Sequence, residues 1–143
     1  MAINRRAEAE WNGNVADGNG KIKLGSGAFE GAYSFNSRFG DDTKSTNPEE
    51  LIAAGHAGCF SMALSSTLGK AGFAPTKIET KVIVKLEKQN ETFTIPLIHV
   101  ETEAEVPNIS DKEFQTLAKS AKENCPVSKV LAGAEITLNA KLK

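Results

Sequence analysis

Two cysteines in distinctive settings are the residues of this chain best suited to chemistry. Cys59 lies inside a stretch from Leu51 to Leu68 that contains no Asp, Glu, Lys or Arg, and Cys125 directly precedes a proline. A cysteine reacts as its thiolate, which forms at neutral pH where a cation or a helix N-terminus lowers the thiol pKa. Two interpretations of Cys59 follow: thiol chemistry paired with Cys125, or a small apolar side chain in a core, where free cysteine is common.

The spacing of the two cysteines fits other cysteine-based sites poorly. The absence of a C-x-x-C pair excludes a thioredoxin-type motif. Cys59 and Cys125 together with His56 and His99 are ligand types suited to zinc, but their spacing matches no zinc-finger pattern. His56, three residues before Cys59 on the same predicted helix, is a neighbour of that thiol and therefore an alternative general base.

The helix that carries Cys59 has a clear N-terminal signal. Asn47 is a good N-cap, Pro48 suits the first helical position, and Glu50 stands where a capping box places its acid. Glu49, in the same turn, is an acid of the kind that the helix dipole favours. Because the residues that follow are uncharged on every face, the sequence predicts a long buried central helix. Cys59 falls near its middle, so a thiolate there needs a cation from another element.

The remaining elements predict a single α+β domain over residues 1–143, built on antiparallel sheets. Short strands and turns are expected in the N-terminal third. The central helix is followed by two long strands with a short polar link, which favours an antiparallel pair, then by an amphipathic helix and a last strand. The predicted bounds are strands 21–24, 78–86, 93–106 and 134–142, with a second helix that starts after Ser110 and ends before Cys125.

Composition and charge predict a soluble cytoplasmic protein. Seventeen basic and 18 acidic residues leave a formal charge of −1, so no basic surface for nucleic-acid binding is expected. The first 30 residues lack the apolar core of a signal peptide. The uncharged stretch is as long as a membrane span, but its glycines, serines and histidine favour a buried helix of a soluble protein, so no membrane partner is expected.

Two segments carry a resemblance to a known family. The run from Thr46 to Leu64, with Cys59 inside it, and the segment Asn124 to Ser128 resemble the OsmC/Ohr family of thiol-dependent peroxidases. The likeness extends over essentially the whole chain, and the segment from Phe35 to Phe39 is similar to the OsmC branch in particular.

The resemblance implies a set of roles for four residues. Cys59 would be the peroxidatic thiol that attacks an organic hydroperoxide, and Cys125 would resolve the sulfenic acid as a disulfide that an external thiol, such as a dithiol, reduces. Arg38 and Glu49 match the charged pair of the family, with the arginine as the cation that Cys59 needs. No metal, flavin or haem is expected, because sulfur itself donates the two electrons. The alternative is a non-catalytic redox sensor or binding module that uses the same two thiols.

Helix geometry adds an expectation about assembly. Glu49 and Cys59 are ten residues apart on one helix, hence roughly 15 Å along its axis and about 80° around it. Glu49 therefore cannot serve the Cys59 of its own helix, and a shared site would need a second copy of the chain. The family resemblance likewise implies an intertwined homodimer with its sites at the subunit interface.

Overall fold

A computed structural model describes all residues, 1–143, and arranges them as a mixed α+β fold. The strands are β1 Ala7–Asn12, β2 Asn19–Leu24, β3 Glu30–Tyr33, β4 Lys77–Gln89, β5 Thr92–Glu105 and β6 Glu135–Leu142. The helices are α1 Phe35–Phe39, α2 Pro48–Lys70, α3 Asp111–Asn124 and α4 Pro126–Val130. The chain forms two compact units, Met1–Leu51 and Ile52–Lys143, so the single domain over 1–143 stays a prediction.

The first unit is a three-stranded antiparallel sheet in the order β1-β2-β3. Gly20 of β2 lies between Trp11 and Tyr33, whose rings are 5.2 Å apart. A Cβ at residue 20 would come within 2.5 Å of the Tyr33 ring, so only glycine lets the two aromatic side chains meet across the central strand. The sheet thereby presents an aromatic face beside the start of α1.

The short helix α1 was not among the predicted elements of the N-terminal third. Ser34 caps it by accepting from the Ser37 N–H at 3.2 Å, and the Ser37 hydroxyl in turn accepts from the Ser34 N–H at 2.8 Å. Because serine replaces the usual Glu or Gln in this capping box, the signal is easy to overlook. Arg38 lies in the last turn of this helix.

The long helix α2 begins as its sequence predicts. The Glu50 N–H donates to the Asn47 side-chain oxygen at 2.8 Å, and Pro48 is the first helical residue. The Glu50 carboxylate accepts from the Thr46 hydroxyl at 3.3 Å instead of closing the predicted capping box on the Asn47 N–H. Four side chains at four-residue spacing form a buried stripe: His56, Phe60, Leu64 and Leu68.

The expectation that α2 is buried on every side is wrong for a single chain. Only 22% of its most apolar 18-residue window is buried, and Met62 is 76% exposed. With a mean hydropathy of 1.3, that window is long and apolar enough to cross a membrane by length and composition, a test that core helices of soluble proteins also pass. The exposed residues of α2 between Ala54 and Ser66 are mostly Gly, Ala and Ser. The helix thus has one face packed in its own chain and one apolar, small-residue face uncovered.

The second unit places β5 at the centre of a three-stranded sheet. The predicted antiparallel pairing of β4 with β5 is confirmed, and Asn90 adopts a positive φ of 58° at their turn. β6 joins β5 in parallel rather than antiparallel, which is possible because α3 and α4 form the crossover between them. The core combines the buried residues of α2 with β5 and α3: Phe60, Leu64, Leu68, Val100, Ala104, Phe114, Ala118 and Ala121.

Candidate active site

The sulfur atoms of Cys59 and Cys125 lie 2.8 Å apart in the second unit. Both residues are free cysteines; Cys125 is fully buried and Cys59 is partly exposed. Cys59 projects from the middle of α2, while Cys125 occupies the junction of α3 and α4. The fold therefore brings the two predicted thiols into direct contact, with Cys59 as the more exposed residue of the pair.

Local sequence explains why Cys125 stands at a helix junction. The residue before a proline is pushed out of the helical region, and Cys125 has φ −60° and ψ 123°. It ends α3 and is the N-cap of α4, in which Pro126 takes the first position. Val127 and Ser128 follow in the first turn of α4.

These surroundings act differently on the two thiols. Burial raises the pKa of Cys59, and the hydrogen bond with Cys125 raises it further. Burial also opposes ionisation of Cys125, but hydrogen bonds with Cys59, Ser128 and Val127 outweigh it and lower the pKa of that thiol. In the isolated pair the negative charge is therefore better stabilised on Cys125 than on Cys59.

Arg38 and Glu49 form a bidentate ion pair in the first unit. The Arg38 Nη2 lies 2.7 Å from Glu49 Oε1, and its Nε lies 3.1 and 3.2 Å from the two carboxylate oxygens. Glu49 is 8% exposed, whereas the Arg38 side chain is 39% exposed and its guanidinium lies 5.2 Å from the Phe39 ring centroid. The expected pairing is present, and Glu49 fixes the guanidinium instead of serving only the helix dipole.

An apolar pocket adjoins Arg38 in the same unit and was not foreseen from the sequence. Its volume is about 220 Å³, and it is lined by Trp11, Val15, Tyr33, Ser34, Phe35, Arg38 and Phe39. The density of aromatic residues on both sides of Arg38 is the signal that would have found it. The pocket offers apolar contact for an organic group beside an exposed cation.

The two histidines have other partners than those considered above. His56 is fully buried, and its Nε2 lies 2.8 Å from the Ser128 hydroxyl, so its hydrogen bond is made to that serine. His99 Nδ1 lies 2.6 Å from the Thr137 hydroxyl. The structure groups no three His, Cys, Asp or Glu side chains in a way that would hold a metal ion.

Two free thiols in contact within an α+β fold indicate a cysteine-based redox protein, and comparison with known proteins gives the family. Residues 40–141 match the family model described as OsmC-like protein. The chain is 46% identical to Peroxiredoxin OsmC of Escherichia coli over 144 aligned positions, which cover 100% of this chain and 99% of that protein. It is 33% identical to Organic hydroperoxide resistance protein-like 1 of Staphylococcus saprophyticus, covering 97% and 96% of the two chains. The chain belongs to the OsmC family.

Solved structures agree with this assignment. The organic hydroperoxide resistance protein OhrB of Bacillus subtilis is similar with a TM-score of 0.68 and 28% identity, over 96% of this chain and 98% of that one. An OsmC-like protein of Mycoplasma pneumoniae has the same fold, with a TM-score of 0.77 at 18% identity and 99% coverage of both chains.

Proposed function

We propose that Cys59 is the peroxidatic cysteine and Cys125 the resolving cysteine of this chain, which is a thiol-dependent peroxidase that reduces organic hydroperoxides to alcohols. The observation that supports these roles is the 2.8 Å contact between two free thiols. The full-length similarity to a protein named a peroxiredoxin supports the activity. The greater exposure of the Cys59 residue favours it as the thiol that meets peroxide.

The chemistry needs only the two sulfurs and an external thiol. The Cys59 thiolate attacks the terminal, hydroxyl-bearing oxygen of the hydroperoxide and becomes a sulfenic acid. The O–O bond breaks, and the leaving alkoxide takes a proton to become an alcohol. The Cys125 sulfur then attacks the sulfenic acid of Cys59, which forms a disulfide and releases water. Two equivalents of an external thiol, or one dithiol, restore the reduced pair.

A cation from a second copy of the chain would activate Cys59. Burial raises the pKa of this thiol in the isolated chain, so the thiolate needs a positive neighbour. Arg38 is bound to Glu49, and ten helical residues place Glu49 roughly 15 Å from Cys59 along α2. We therefore propose a homodimer in which the Arg38–Glu49 pair of one protomer meets Cys59 of its partner.

The uncovered face of α2 supports the same assembly. An apolar face that its own chain leaves exposed favours association with another surface. Glycine, alanine and serine on this face allow two helix backbones to approach closely. An antiparallel pairing of two copies of α2 across a two-fold axis would create two sites per dimer. In this arrangement α2 is covered in a soluble, cytoplasmic protein.

The pocket beside Arg38 supports a preference for bulky apolar peroxides. Aromatic side chains dominate its lining, and its volume of about 220 Å³ suits a small organic group better than a hydrogen peroxide molecule alone. The Arg38 guanidinium at its edge can donate to the peroxide oxygens. The substrate's apolar part would thus bind where the cation meets the partner's thiolate.

A turnover assay tests this function. Reduced protein is given cumene hydroperoxide or hydrogen peroxide in excess, together with a monothiol or a dithiol reductant. Multiple turnovers with a higher kcat/KM for the organic peroxide are expected. Oxidation of both thiols by one equivalent of peroxide without further turnover would instead identify a redox sensor, and unchanged thiol content would leave both cysteines as core residues.

A further inference from the structure

The buried, hydrogen-bonded pair of His56 and Ser128 has no part in the catalytic steps proposed above. His56 is 0% exposed and Ser128 is 6% exposed, and the His56 Nε2 lies 2.8 Å from the Ser128 Oγ. The two residues come from α2, which carries Cys59, and from α4, whose N-cap is Cys125. Burying a polar pair costs desolvation free energy, which a functional role near the cysteines would explain.

The surroundings of His56 decide which ring nitrogen carries the proton. Burial lowers the pKa of His56, so the ring is neutral and has one N–H. Its Nδ1 is buried and has no hydrogen-bond partner within the chain. A proton on Nδ1 would be an orphaned buried donor, which proteins avoid more strictly than an unused acceptor. The Nε2–H tautomer is thus favoured, and it donates to the Ser128 oxygen.

This tautomer sets the direction of the Ser128 hydroxyl. With its oxygen accepting from His56, the Ser128 O–H is left to donate elsewhere. Ser128 lies three residues after Cys125 in the first turn of α4, and a hydrogen bond from its side chain lowers the pKa of the Cys125 thiol. His56 thus acts on Ser128 through their 2.8 Å contact, and Ser128 in turn favours the thiolate of Cys125, whose sulfur touches that of Cys59.

We propose that His56 and Ser128 are positioning residues for disulfide formation: His56 orients the Ser128 hydroxyl, and that hydroxyl holds Cys125 as the thiolate that attacks the Cys59 sulfenic acid. This inference rests on the proposed roles of the two cysteines. In the step, the S–S bond forms and the S–O bond of the sulfenic acid breaks. The Cys125 sulfur is oxidised, the Cys59 sulfur is reduced, and the departing hydroxide combines with the proton lost by Cys125 to give water.

Single-turnover kinetics separate this role from the peroxide step. Reduced protein is mixed with one equivalent of cumene hydroperoxide, and samples are quenched either with dimedone, which traps sulfenic acid, or with acid for mass spectrometry of the disulfide. In Ser128→Ala and His56→Leu, disulfide formation should slow about tenfold, the effect of losing one hydrogen bond to a charged group. The sulfenic acid should then accumulate in both variants.

Conservative variants distinguish positioning from packing. Ser128→Thr keeps the hydroxyl, and His56→Gln keeps a side-chain N–H donor, so both should form the disulfide at a rate near that of the unchanged protein. Adding His56→Leu to Ser128→Ala should have no further effect, because His56 acts through Ser128. Equal slowing in the conservative and the disruptive variants would overturn the proposal.

A second readout does not depend on peroxide chemistry. In a Cys59→Ser background, the ultraviolet absorbance of the Cys125 thiolate, followed as a function of pH, measures its ionisation without access to the buried sulfur. Ser128→Ala and His56→Leu should each lower the thiolate fraction at pH 7 about tenfold, while Ser128→Thr and His56→Gln should restore it. Unchanged titration curves would contradict the inference. By contrast, an unchanged protein that forms no sulfenic acid, but whose variants show these titration shifts, would contradict the proposed function alone.

Discussion

Cys59 and Cys125 are 66 positions apart in the chain, yet their sulfur atoms are separated by only 2.8 Å. The contact exists because the middle of α2 packs beside the junction at which α3 ends and α4 begins. Two thiols this close ionise as a coupled pair, so their surroundings decide which sulfur loses its proton first. Within one chain that environment favours Cys125, since burial raises the pKa of Cys59. A thiolate on Cys59 therefore requires a positive charge from outside the thiol pair.

The two cysteines should respond differently to removal. Cys59→Ser should abolish peroxide consumption, because no other thiol meets the substrate. Cys125→Ser should still consume one equivalent and then stop with a sulfenic acid on Cys59, detectable by dimedone and mass spectrometry. Unchanged turnover in Cys59→Ser would refute the assignment of the peroxidatic thiol.

Removal of the Arg38 charge should shift the ionisation of Cys59. In Arg38→Met the thiolate loses its cation, so the pKa of Cys59 should rise and its alkylation profile should move to higher pH. The peroxide step should slow by at least tenfold at pH 7, as measured by stopped-flow consumption of cumene hydroperoxide.

Two controls accompany the Arg38 variant. Arg38→Lys keeps the charge but loses the bidentate fork to Glu49, so it should retain an intermediate rate. Lys44→Met removes a charge from the exposed loop before α2 and should leave the profile in place. An unmoved profile in Arg38→Met would show that another group activates the thiol.

Mixed dimers should show whether each site is shared between protomers. A Cys59→Ser chain and a Glu49→Ala chain are each inactive or weakly active alone. If a site takes Cys59 from one protomer and Glu49 from the other, each heterodimer has one intact site, and activity should return after the two chains are refolded together. If both residues came from one protomer, each heterodimer site would keep one defect. Native mass spectrometry confirms that heterodimers are present, so continued inactivity would count against the shared site.

Filling the aromatic pocket should affect organic peroxides selectively. Val15→Phe places a ring in the pocket beside Arg38, so kcat/KM for cumene hydroperoxide should fall several-fold while the smaller hydrogen peroxide is affected less. Ile3→Phe is a matched control, since Ile3 is also exposed but does not line the pocket. Equal losses for the two peroxides would show that the pocket does not bind the organic group.

Burial of His56 should make stability depend on pH in mildly acidic solution. Its pKa in the folded chain is below the usual 6.5, so the unfolded chain binds a proton that the folded chain does not. Above pH 6.5 the His56 ring is neutral in both states, and the folded chain keeps its full stability. As the pH falls below that value, protonation of the unfolded chain lowers the free energy of unfolding by at most about 1.4 kcal/mol per pH unit. Thermal melts of the unchanged protein and of His56→Gln at pH 7 and pH 5 should show a smaller loss of Tm in the variant.

The elements that the sequence predicted well are those with signals carried by adjacent residues. Asn47 and Pro48 start α2, and Pro126 forces the chain out of the helix at Cys125, because capping and the proline ring act within one turn. The antiparallel pair of β4 and β5 follows from a short link between two apolar-alternating runs. The helix α1 was missed because its serine-only capping box is a weak form of the same local signal.

Amino-acid type and spacing alone determined which residues can do thiol chemistry, where α2 begins and where α3 ends. Only the tertiary structure decided that the two sulfurs touch, that β6 runs parallel to β5, that His56 binds Ser128, and that one face of α2 stays uncovered. These relationships join positions far apart in the chain, and they depend on how several apolar faces pack against each other. Local propensity does not predict that packing, because each contact depends on two elements that are brought together only when the chain folds.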